Sequence, residues 1–223
     1  MVAALMELAP LAAAVLRRPP AVHPRVWIAA WGALMFFTDA VMRGLGSAGI
    51  HNLWVFYVLA PVHAAALFWA LSLWQSGQLP RLTLRAAIPV FAIAWVSMVL
   101  LFEDPSAFSF VALPVYAVLG LTAAVGTLIL RSTGTTEPLL RQDWFWVCSG
   151  VALYFAGVAA LGPIGLLLRE HPRLVFRALE VKSYLQIVGF LVIAKGLMCP
   201  LPTPSGASSS PALSASRSLS SLS

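Results

Sequence analysis

Charge is scarce in this chain: 14 Lys and Arg and 8 Asp and Glu among 223 residues, 10% of the total. A soluble domain carries about 25% charged residues. With so few, the chain cannot cover a surface in water, and that excludes an ordinary soluble fold. Cysteine is scarcer still. Cys148 and Cys199 both fall in apolar runs, so there is neither a disulfide framework nor a Cys-x-x-Cys metal spacing. Of the four histidines, His23, His51 and His171 lie in polar turns, and only His63 sits inside an apolar run.

Several chemistries are missing with their motifs. There is no Walker loop and no His-Glu-x-x-His, which disfavours ATP hydrolysis and zinc proteolysis. Ser149 stands in Cys-Ser-Gly-Val without the Gly-x-Ser-x-Gly elbow of a hydrolase. His63 has no second histidine at its own depth to complete a haem site. A retinal Schiff base on Lys195 would need apolar turns beyond it, but Pro200 follows five residues later. Lys195 therefore falls at a helix end, where it can snorkel. No cofactor and no metal are expected.

What the chain has in quantity is apolar length. Hydrophobic residues make up 60% of it, and the mean hydropathy is +0.88. Runs at 26–42, 53–74, 84–102, 107–130, 144–168 and 179–199 are each long enough for a membrane helix, which needs about 20 residues to cross some 30 Å of hydrocarbon. They are uninterrupted rather than alternating, which argues against a β-barrel. Residues 2–16 are apolar too, but Glu7 and Pro10 interrupt them. Two readings stay open there, a seventh spanning helix or an interfacial one. The expected fold is an all-α polytopic transmembrane bundle of six to seven helices, followed by a disordered Ser-rich tail over 201–223.

The net charge of +6 lies at the helix ends. That pattern fits anchoring to anionic headgroups rather than nucleic acid, so the bilayer is the expected partner. Arg17, Arg18, Arg25, Arg81, Arg85, Arg131 and Arg141 fall on one side, together with Trp27, Trp69, Trp74, Trp144 and Trp146. By the positive-inside rule this side is cytoplasmic, in an inner or plasma membrane, and the C-terminus lies there too. Arg169, Arg173 and Arg177 on the other side dissent. Small residues Ala152, Ala156 and Ala160 recur every fourth position, a spacing that lets membrane helices approach closely within the bundle or in self-association.

The candidate site is a polar cluster in the outer half of the bundle. Asp39 and Arg43 are four apart and share a helix face. A carboxylate in hydrocarbon costs about 2.5–3.5 kcal/mol on insertion scales, so Asp39 calls for a partner or a cavity. Antiparallel geometry brings Asn52 and Tyr57 to a similar depth, and the start of the last helix adds Lys182, Tyr184 and Gln186. His63 lies nearer the midplane. These eight residues are ligand- or ion-binding candidates, with a register-fixing ion pair as the structural alternative. The leading expectation is a non-enzymatic sensor, ligand-binding bundle or complex subunit. An ion- or proton-coupled carrier using Asp39 and His63 is the second, and an intramembrane lipid-modifying enzyme using Asp39 is the third.

Overall fold

The computed structural model describes residues 2–21, 23–103, 111–167 and 172–200. Among them all regular secondary structure is helical: α1 (Val2–Met6), α2 (Ala9–Arg17), α3 (Pro24–Ser47), α4 (Leu53–Trp74), α5 (Gln78–Phe102), α6 (Ala112–Ser132), α7 (Asp143–Leu167) and α8 (Pro172–Met198), with one 3₁₀ turn at Leu139–Arg141. Six helices, α3 to α8, are long and apolar enough to cross a membrane. The protein is a multi-pass helical bundle. The expected tail at 201–223, the acidic Asp104 and the Arg169 turn lie outside the described residues.

Several helices extend beyond their apolar windows, because backbone hydrogen bonding continues where side chains turn polar. α3 runs through Arg43 to Ser47 and stops before Gly49, whose φ of 71° suits glycine. α5 starts at Gln78 and keeps Pro80 in its first turn, where the missing N–H costs nothing. Pro172 opens α8 in the same way, so Arg173 and Arg177 sit on the helix. α6 begins at Ala112, with Pro114 in its first turn, and residues 107–110 of the expected run lie outside the described residues. Pro61 and Pro89 do lie inside helices.

Residues 2–17 make two short helices with a break at Glu7–Leu8. α2 packs on α3 and α8, and α1 mainly on α8. Gly32 admits the break: a Cβ there would lie 2.8 Å from the Glu7 carbonyl oxygen. At about 1.5 Å per residue the whole segment spans roughly 24 Å, short of the ~30 Å hydrocarbon core.

α7 and α8 are the most closely apposed pair, and glycines allow it. A Cβ on Gly150 would fall 2.5 Å from the Gly189 oxygen, and one on Gly196 would fall 2.9 Å from the Asp143 oxygen. Gly150 and Gly157 face this contact from α7, Gly189 and Gly196 from α8. The alanine row is not the contact: Ala156 and Ala160 are exposed and Ala152 is half-buried. The core between the helices is aromatic. Trp31 stacks on Phe190 at 5.6 Å, and Tyr116 meets Phe155 edge-on at 5.1 Å, in the space left by Gly120.

Candidate functional site

One end of the bundle gathers the cations. Arg25, expected as a solvated anchor, is 1% exposed. Its Nε donates to Asp143 Oδ2 at 2.9 Å, and its other nitrogens donate to the carbonyls of Leu197, Cys199 and Pro200. One guanidinium thus joins the start of α3, the start of α7 and the carboxyl end of α8, where the helix dipole favours a cation. Asp143 Oδ1 in turn accepts from the Trp144 amide. Around this clamp cations lie over tryptophans: Lys195 over Trp146 at 3.5 Å, Arg85 over Trp69 at 4.5 Å and Arg131 over Trp144 at 5.6 Å. Gln75 donates to Thr127 Oγ1 at 2.8 Å and ties α4 to α6 at the same end.

The other half of the bundle holds a cavity of about 230 Å³. Its walls are Met35, Thr38, Asp39 and Met42 from α3; Leu53, Phe56, Tyr57 and His63 from α4; Leu113 from α6; Tyr154, Val158 and Leu161 from α7; and Leu179 and Lys182 from α8. Most of that surface is apolar, with a few polar groups from different helices, the usual makeup of a small-molecule site.

Asp39 pairs with Arg43 at 3.6 Å, and both side chains keep contact with the surroundings, at 34% and 53% exposure. This pair is a loose one. Lys182 on the opposite wall is held differently. Its ammonium donates to Gln186 Oε1 and lies 5.9 Å from the centre of the Tyr154 ring. Gln186 Nε2 donates onward to Glu7 Oε1. The amide thus bridges a lysine and a carboxylate that never touch. Glu7 is fully buried at the α1–α2 break, and its Oε2 has no hydrogen-bond partner among the described residues.

Thr38 and His63 fix each other. The Thr38 hydroxyl gives its one proton to the Leu34 carbonyl at 2.9 Å. At the 3.0 Å Thr38–His63 contact the hydroxyl oxygen must therefore accept, and His63 Nε2 carries the hydrogen. His63 Nδ1 is left as a buried acceptor without a partner among the described residues. Tyr57 is set from both ends: its carbonyl accepts from Trp95 Nε1 at 2.8 Å, and its hydroxyl donates to Glu103 Oε2 at 3.1 Å. Glu103 Oε1 accepts the amides of Val111 and Ala112, capping α6. The wall of the cavity is thereby tied to α5 and α6.

Of the eight residues singled out from sequence, Asp39, Tyr57, His63 and Lys182 line the cavity. Arg43 and Gln186 bind members of that set. Asn52 does not line it. Its Nδ2 donates to the Met42 carbonyl at 2.6 Å and secures the turn after α3. Tyr184 turns outward, 68% exposed. Sequence reasoning missed Thr38, Tyr154 and Glu7. Glu7 read only as a flaw in an apolar run, although a lone carboxylate in such a run was itself the signal. Among the described residues no group of three His, Cys, Asp or Glu side chains could hold a metal ion.

No protein-family model, no curated protein and no solved structure matches this chain.

Proposed function

We propose that the protein is a ligand-binding membrane bundle without enzymatic activity, and that its cavity takes a small amphipathic molecule from the face opposite the basic end. The observation carrying this reading is the convergence of Asp39, Tyr57, His63 and Lys182 from three helices on one 230 Å³ space. By the positive-inside rule the basic end faces the cytoplasm of an inner or plasma membrane, and the cavity faces out. A cavity of ~150 Å³ holds benzene, so this one scales to a ligand of about nine non-hydrogen atoms.

The carrier reading finds less support. Beyond His63, α4 presents Ala64, Leu67, Phe68, Ala70 and Leu71 to the core, all buried and apolar, and a translocated ion would have to pass them. The test is saturable stabilisation. In nanodiscs of neutral lipid, at least one of octanoate, octanol and octylamine should raise the melting temperature of the wild type in a saturable way. Val158→Trp, which fills the cavity, should abolish that effect. If none of the three acts, or if the Trp variant responds like the wild type, the cavity is not a binding site.

A further inference from the structure

The charges on the two walls are not equally committed, and this selects the ligand. Among the described residues two ion pairs form, Arg25–Asp143 and Asp39–Arg43. Lys182 belongs to neither. Its ammonium has three N–H donors, and the bond it makes goes to a neutral amide, Gln186. Two carboxylates offset it from a distance: Asp39 on the facing wall, and Glu7, which stands behind that amide and does not line the cavity. Asp39 already has Arg43 beside it. Among the described residues the charged group that faces the cavity without an ion pair is therefore the cation.

We infer that the cavity binds an amphipathic anion, a medium-chain carboxylate or an anion of similar shape. Lys182 holds its head group, and the chain lies along Met35, Phe56, Val158 and Leu179. The Tyr154 ring beneath the ammonium and the bond to Gln186 fix Lys182 in place before the ligand arrives. An anion entering there meets a cation that has no carboxylate within ion-pair distance among the described residues.

This inference rests on the cavity being a binding site, and the same three probes separate the two claims. Octanoate, octanol and octylamine have nearly equal size and differ in head-group charge. A charge-assisted hydrogen bond is stronger than a neutral one by enough to make the ranking clear: octanoate should bind the wild type at least about tenfold more tightly than octanol. Octylamine should bind no better than octanol. Lys182→Gln should bring octanoate down to the octanol level, and Lys182→Arg, which keeps the charge, should preserve the order. Octylamine or octanol binding as tightly as octanoate would overturn the inference and leave the cavity reading standing. So would an unchanged octanoate preference in a folded Lys182→Gln protein. Should that variant fail to fold, the wild-type ranking and the arginine variant decide. Binding of none of the three overturns both claims.

Discussion

Replacing Arg25 with alanine should be the most damaging single change at the basic end. The side chain is 1% exposed, and its partner Asp143 is 12% exposed. Removing the guanidinium leaves a nearly buried carboxylate without its cation, and it leaves the carbonyls of Leu197, Cys199 and Pro200 without their donor. Breaking a buried pair from one side costs about 3–5 kcal/mol. Asp143→Asn should cost less, about 1–3 kcal/mol, since the guanidinium keeps its three carbonyls and the amide oxygen can still accept. A double variant, Arg25→Met with Asp143→Leu, strands neither charge and should recover part of the loss. The assay is reversible unfolding in mixed micelles, followed by tryptophan fluorescence and run as a double-mutant cycle with Arg25→Met and Asp143→Leu as its single variants. A coupling energy near zero, with Arg25→Ala within about 0.5 kcal/mol of wild type, would refute the view that this clamp holds α3, α7 and α8 together.

Three further outcomes follow from the same geometry. Glu7→Ala should cost about 1–3 kcal/mol by leaving the Gln186 amide unpaired, whereas Glu7→Gln, which can still accept that bond, should cost clearly less in the same unfolding assay. Gly150→Ala forces a methyl against the Gly189 carbonyl and should destabilise the α7–α8 pair. Gly126→Ala, which meets nothing within 4 Å, should be neutral or stabilising by up to about 1 kcal/mol, and melting temperatures compare the two directly. His23 caps α3 by accepting from the Arg25 amide, and burial lowers its pKa from the ordinary 6.5, with Asp143 opposing and Arg25 reinforcing the shift. As pH falls below about 6.5 the unfolded chain takes the proton first, so stability should decline from there down to the folded-state pKa and stay level above pH 7. In His23→Asn, which can still cap but does not titrate, this component of the pH dependence should vanish.

The helices were legible in the sequence because about 20 apolar residues in a row admit few other structures in lipid. Their ends were less so. Hydropathy marks where lipid stops, while Arg43, Gln78 and Arg173 continue helices past that point. Asp39 stood out as a carboxylate inside a greasy run. Lys182 and Gln186 could be placed near it only through antiparallel geometry. Arg25 and Asp143 are 118 positions apart, and Glu7 and Gln186 are 179 apart. No local spacing reports such pairings. Nor did the alanine row reveal the close contact, which the glycines at 150, 157, 189 and 196 make instead.

The proposed function requires that the cavity be reached from the face away from the basic end. Cysteine accessibility tests it most directly, in a background with Cys148 and Cys199 replaced by serine. Val158 lines the cavity, and Ala156, two residues earlier on α7, is exposed on its outer surface. A small charged thiosulfonate that cannot cross membranes, added outside intact cells, should modify Val158→Cys quickly and Ala156→Cys slowly or not at all, because lipid covers the latter. Equal reaction of both, or reaction of Val158→Cys only from the cytoplasmic side, would rule out a cavity reached from the outer face.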